Sequence, residues 1–344
     1  MNYEVHMKYD VAALGELLID FTENGLSAQG NGLFEANPGG APCNVLAMLT
    51  KLGKRTAFIG KVGNDGFGKM LKSRIEGVGI NADGLRFDDE IHTTLALVQT
   101  LADGDRDFSF YRNPGADMNL LAAEVDLDIV RDAKVFHFGT LSMTHDKVRE
   151  ATKLAIDEAK KAGAILSFDP NLREPLWDSL ENAKEQVRYG LSKCDILKIS
   201  DNEILWLTGL DDQGTDLTLQ DPYTEGVRRI REEFNIPLIL VSLGKEGSRA
   251  YLNGTGYVEA PAFVREDTIE TTGAGDTFCA CVISYVLDHG LDLSDENLRE
   301  MLTFANAAAS IVTTRKGALC VMPDPAEIQQ LLHCQASSSE PDAR

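Results

Sequence analysis

The chain has 344 residues, 43% of them hydrophobic and 25% charged, with a formal net charge of −21. That supports a large core, in one large domain or two modest ones. The acidity argues against a nucleic-acid partner, and no apolar run reaches the roughly 18 residues of a membrane-spanning helix.

Met1 to Asp10 is polar and charged and lacks the apolar segment of a secretory leader, so a cytoplasmic protein is expected. Val11–Leu14 reads as a buried strand, which puts Asp20 of the following Gly15–Asp20 segment near that strand's carboxyl end. Glu23–Ala36 breaks the rhythm, with many Gly and Asn residues and isolated apolar ones. Val45–Leu52 reads as a helix and Ala57–Ile59 as a strand. His92–Tyr111 alternates polar and apolar residues on either side of Asp103-Gly104, which predicts a hairpin. The two irregular segments, about residues 20–36 and 90–113, are either a small lid over a site or a plain surface excursion.

Farther on, Val135–Phe138, Ala164–Phe168, Ile196–Ile199 and Leu238–Ser242 read as buried strands. Lys147–Ala162 and Ala183–Leu191 read as helices. Thr277 to Leu287 is apolar on nearly all faces and predicts a buried helix. Such alternation predicts βαβ units, a mainly parallel sheet covered on both faces, and ligands at the carboxyl ends of the strands. The simplest organisation is one domain over residues 1–330 with a lid. Residues 331–344 then form a tail whose small, polar end, Ser337–Arg344, is expected to be disordered. Six cysteines (Cys43, Cys194, Cys279, Cys281, Cys320, Cys334) include no CxxC pair and are expected to be free thiols; the histidines show no zinc-binding spacing.

Glu270-Thr271-Thr272-Gly273-Ala274-Gly275-Asp276-Thr277-Phe278 stands at the head of the buried helix. Glycines let backbone approach a ligand, and the N–H groups of a first helical turn attract anions. An acid beside an anion site needs a task. Taking a proton from a hydroxyl that attacks a phosphoryl group is the obvious one. The alternative is a helix start with an Asp cap; a buried start with two glycines and an unpaired acid favours chemistry. No P-loop and no GxGxxG occurs.

Asn37-Pro38-Gly39-Gly40-Ala41-Pro42-Cys43-Asn44 is, taken alone, an ordinary loop-to-helix junction. Asn44 can nevertheless donate and accept, as a sugar hydroxyl requires. Asp20 is open to two readings, a ligand for hydroxyls or a surface acid. Asp169-Pro170-Asn171-Leu172-Arg173 and Ser200-Asp201-Asn202-Glu203 each follow a strand, so all these segments fall at one sheet edge.

Together these segments resemble the ribokinase-like (PfkB) carbohydrate kinases, from about Val11 to Pro323. Pro38-Gly39-Gly40 with Asn44, continuing to Gly60–Gly68, is similar to the family's N-terminal signature; Thr271–Phe278 is similar to its C-terminal one. Arg112-Asn113-Pro114-Gly115-Ala116-Asp117-Met118, Asp169–Arg173 and Lys198-Ile199-Ser200 before Glu203 are similar to the fructokinase subgroup, Ser200 replacing the ribokinase Asn.

The resemblance implies a three-layer α/β/α fold with a small β-sheet lid and transfer of the ATP γ-phosphate to the 6-hydroxyl of D-fructose. It implies Asp276 as base and the N–H groups of Gly273, Ala274 and Gly275 as anion hole. Sugar contacts would be Asp20, Gly39, Gly40, Asn44, Phe110, Arg112, Asp169 and Arg173. Nucleotide contacts would be Ser200, Ser242, Gly244 (with Lys245), Gly247, Asn306, Gly317 and Ala318, and Glu203 would help hold Mg²⁺, largely through water. Glu270 stands where the family usually has Asp near a monovalent-cation site, which puts K⁺ activation in question. The implied partners are a sugar and ATP, with a homodimer through the lid. The rival readings are a 2-keto-3-deoxygluconate kinase, with Arg112 meeting the carboxylate, another PfkB sugar kinase, or a non-catalytic sugar-binding protein.

Overall fold

A computed structural model describes residues 7–100, 106–210 and 221–338. The chain opens with β1 (Tyr9–Leu14), β2 (Leu18–Leu26) and β3 (Gly32–Gly39). Helix α1 (Ala41–Lys51), β4 (Thr56–Gly63), α2 (Gly66–Gly77) and β5 (Asn81–Asp88) follow. Next come β6 (Leu95–Thr100), β7 (Arg106–Tyr111), α3 (Leu127–Arg131), β8 (Ala133–Gly139) and α4 (Asp146–Ala162). Then come β9 (Ile165–Asp169), α5 (Leu180–Leu191), β10 (Ile196–Ser200), α6 (Asp201–Thr208) and α7 (Pro222–Glu233). The chain continues through β11 (Leu238–Ser242), β12 (Ser248–Leu252) and β13 (Tyr257–Ala260) to α8 (Ala274–His289), α9 (Asp295–Val312) and α10 (Pro325–Ser338).

Among the described residues the main sheet has nine strands, in the order β13-β12-β11-β10-β9-β8-β1-β4-β5. The pairings from β11 to β5 are parallel; β12 and β13 extend one edge antiparallel. Successive side chains point to opposite faces. Val11 and Ala13 enter the core under α1 and α8, whereas Ala12 and Leu14 enter the core under α4 and α5. Leu238 and Leu240 divide from Ile239 and Val241 in the same way. Two covered faces explain why these strands are uninterrupted apolar runs, and they make the fold the expected three-layer sandwich.

A second sheet has the order β3-β2-β6-β7 among the described residues. The hairpin over His92–Tyr111 is present as β6 and β7, paired from Leu95↔Tyr111 to Thr100↔Arg106; its Asp103-Gly104 turn lies outside the described residues. Glu23–Ala36, irregular by sequence, is instead most of a second hairpin, interrupted by a bulge between Glu23 and Leu26. Its strands are exposed over much of their length, so no apolar alternation marks them. The stretch read as a tail from residue 331 also departs from expectation, because α10 continues to Ser338. Residues 339–344 lie outside the described residues.

Candidate active site

Between the two sheets, at the carboxyl ends of the central strands, lies a cavity of about 640 Å³. Asp20, Gly40, Asn44, Phe110, Arg173, Ser200, Glu203, Gly273, Gly275 and Asp276 all line it. Segments more than 250 residues apart in sequence therefore meet as the sheet-edge argument requires.

The floor is the start of α8. Gly273 is its N-cap with φ of 78°, a conformation that a side chain disfavours, and a Cβ there would lie 2.6 Å from the Ala318 Cβ. The N–H of Ala274 donates to the Thr271 carbonyl at 3.2 Å. Of the three expected anion-hole donors, Gly273 and Gly275 are therefore the better available. Asp276 sits one turn in, 8% exposed, and accepts a hydrogen bond from Asn44 Nδ2 at 2.8 Å. The acid is thus not unpaired: α1 hands it a donor. Asn44 Oδ1 is buried with no partner within the protein, which leaves one acceptor beside Asp276 for a ligand hydroxyl. Burial pushes the Asp276 carboxyl up, opposed by the Asn44 bond and the Lys198 and Arg173 charges.

Asp20 comes from β2 at the root of the lid, against Gly39, where any Cβ would collide with the Asp20 carboxylate. Phe110 comes from β7. Arg112 is 3% exposed and does not line the cavity; Nε and Nη2 hold Asp117, Nη1 donates to Thr144 Oγ1 at 2.9 Å, and Nη2 also reaches the Leu141 carbonyl. Asp169 is likewise buried behind the wall, 3.0 Å from Lys198 Nζ. Removing either partner of such a pair leaves an uncompensated buried charge, a loss of about 3–5 kcal/mol.

On the other side, Ser200 caps α6, and Glu203 accepts the Ser200 N–H and the Leu172 N–H, both at 2.8 Å. Burial would raise Glu203, but the Lys198 charge and these N–H groups hold it below the ordinary range. A carboxylate already anchored on both oxygens, facing the cavity, fits a Mg²⁺ ion held through its water shell and substrate phosphates. Ser242 ends the strand beside Ser200, with Gly244 and Gly247 in the next turn; of this turn, Lys245 reaches the cavity. Asn306 is turned elsewhere: it accepts from Ser248 Oγ and donates to the Ala260 and Pro261 carbonyls. Gly317 donates its N–H to Glu270 Oε1 at 2.8 Å, and Gly317 and Ala318 line a small neighbouring crevice with Asp20 and Thr272.

A family model described as pfkB family carbohydrate kinase matches residues 8–325. The chain belongs to the pfkB family of carbohydrate kinases. The probable fructokinase-4 of Arabidopsis thaliana is 43% identical over 328 residues, covering 94% of this chain and 96% of that one. The crystal structure of the Xylella fastidiosa fructokinase with bound ATP superposes with a TM-score of 0.84 at 30% identity, covering 95% of this chain and 99% of that one. A fructokinase double mutant of Vibrio cholerae O395 with fructose, ADP and potassium ion bound gives a TM-score of 0.80 at 26% identity, over 94% of this chain and 97% of that one.

Two charged residues that line this kinase's cavity, Glu16 and Lys198, carried no role in the sequence reading. Glu16, 4% exposed, accepts the Ala41 N–H at 2.7 Å and so caps α1, whose own N-cap is a glycine. Burial pushes Glu16 up to about 7. Lys198 interrupts the apolar run Ile196-Leu197-Lys198-Ile199, and that interruption was the readable signal. Burial disfavours its ammonium, but the Asp169 and Glu203 charges more than offset this.

Proposed function

We propose that this kinase is an ATP-dependent fructokinase, forming fructose 6-phosphate and ADP. The observation that carries the reading is the buried Asp276–Asn44 pair at the head of α8, facing a cavity that Asp20 and Phe110 line from the lid side. Asp276 takes the proton of the fructose 6-hydroxyl as that oxygen attacks the γ-phosphorus. The new O–P bond forms while the bond to the β–γ bridging oxygen breaks, and ADP leaves with that oxygen. The Gly273 and Gly275 N–H groups stabilise the charge on the transferring phosphoryl oxygens. Glu203 would hold Mg²⁺ through the ion's water shell, and the ion would supply neutralisation of the nucleotide's phosphate charge. The lid, bearing Asp20 and Phe110, holds the sugar and keeps water from the phosphoryl group.

A sugar acid such as 2-keto-3-deoxygluconate would need a cation at the sugar end. Arg112, the residue expected to meet that carboxylate, is committed to Asp117, which favours a neutral sugar. A homodimer through the lid belongs to the same reading, because Leu26, Leu33 and Phe34 are exposed on β2 and β3; light scattering giving a monomer mass would reject it. A cytoplasmic setting fits the six cysteines, all free.

The test is ADP release from MgATP with fructose, ribose, 2-keto-3-deoxygluconate, glucose, tagatose and adenosine, with and without K⁺. Fructose should lead by kcat/KM. Because Glu270 already ties the Gly317 loop, K⁺ should change kcat little. A different leading acceptor would move the specificity, and binding of sugar without ADP release would reject the kinase reaction.

A further inference from the structure

Lys198 is the charged residue in an otherwise apolar central strand, and the register explains where it points. Ser167↔Ile196 and Phe168↔Leu197 pair, so Asp169 falls opposite Lys198 on the sheet face that packs against α8. The ammonium lies 3.0 Å from Asp169 Oδ2, and a Cβ on Gly275 would come within 3.1 Å of it. It therefore sits directly against the residue that precedes Asp276, and it lines the cavity.

Three carboxylates feel this charge: Asp169 from β9 in direct contact, and Glu203 from α6 and Asp276 from α8 through their fields. The other titratable or charged groups that face it do not supply a buried positive charge. Arg173, in the segment after β9, is exposed. His137 on β8 donates to or accepts from Ser167, and burial with the Lys198 charge drives it down to about 3, so it is neutral. The Cys279 thiol on α8 is pushed up by burial and stays protonated. Asn44 of α1 gives Asp276 a hydrogen bond but no charge.

We propose that Lys198 is a positioning residue for phosphoryl transfer: its buried ammonium fixes Asp169 and supplies the positive charge that lets Asp276 stand as a carboxylate in a dry, crowded acidic site. This rests on Asp276 being the base. Without the ammonium, Asp276 would hold its proton to higher pH, where a neutral acid cannot accept one from the sugar. The assignment also accounts for a lysine between Leu197 and Ile199 in a buried strand, a placement that packing alone disfavours.

The experiment is the pH dependence of kcat/KM with fructose and MgATP for the wild type, Lys198→Met, Lys198→Arg and Asp169→Asn. Lys198→Met should move the acidic limb upward by about one pH unit, a tenfold loss at a fixed pH on that limb. Lys198→Arg should restore most of the limb's position, and Asp169→Asn should move it downward, since the ammonium then serves Asp276 alone. A uniform loss of rate with an unmoved limb in Lys198→Met would overturn the proposal. Where Lys198→Met does not fold, the direction of the Asp169→Asn shift decides, and an upward shift overturns it. Asp276→Asn separates the two ideas: full turnover in that variant removes the base itself, whereas a dead Asp276→Asn beside an unshifted Lys198→Met removes only the role of Lys198.

Discussion

Asp276 and Asp20 face one cavity from opposite supports. Asp276 belongs to a helix packed against a nine-stranded sheet, with Asn44, Lys198 and Asp169 fixed around it. Asp20 stands on a four-stranded sheet whose far end exposes Leu26, Leu33 and Phe34 to solvent. The floor is over-determined by buried polar contacts, whereas the roof is set by a few root residues and a largely exposed hairpin. Chemistry that needs fixed geometry belongs on the first and acceptor selection on the second.

The sharpest way to break the floor is Gly273→Val. It forces a β-branched residue into a φ of 78° against Ala318 and displaces the proposed donors and the proposed base together. A fall in kcat of about 10³ is expected, read by initial rates beside a melting curve. The roof should answer differently. Asp20→Ala should raise the fructose KM about tenfold while lowering kcat much less, the mark of lost sugar binding with the transfer apparatus intact. An equal fall of kcat in both variants would erase the distinction between floor and roof.

The smallest effect concerns the joint between them, where Glu16 caps α1. Its folded pKa, about 7, lies above the ordinary value of 4.5, because burial favours the protonated form. The stability this gives is complete below the ordinary value and is lost as pH rises through about 7. Asp169, pushed up to about 6 by burial, adds to the same slope. Glu16→Gln should therefore flatten the fall of Tm with pH across that window, by roughly 2 °C or more. An unchanged slope would mean that Glu16 is charged throughout.

The sequence was most readable where one contiguous segment carries both structure and chemistry. The central strands announce themselves because both faces are covered, and Gly273 to Asp276 because loop, anion donors and acid are consecutive. The β2–β3 hairpin was missed because solvent on its exposed strands removes the period-two pattern. Edge strand β5 carries Asn81, Asp83 and Arg86, which interrupt its apolar residues, and it drew no strand reading. Glu16 and Lys198 gain their meaning from partners 25 and 29 residues away, which register and packing bring together and local pattern does not. Arg112 shows the converse: a motif position expected at the sugar is held by Asp117, five residues on.

The most direct measurement is Asp276→Asn, followed for fructose binding and for turnover on the same preparation. Asn keeps the shape and cannot accept the proton. Fructose should still bind within a few-fold of wild type while kcat falls by about 10² or more. Turnover near the wild-type rate would contradict the account.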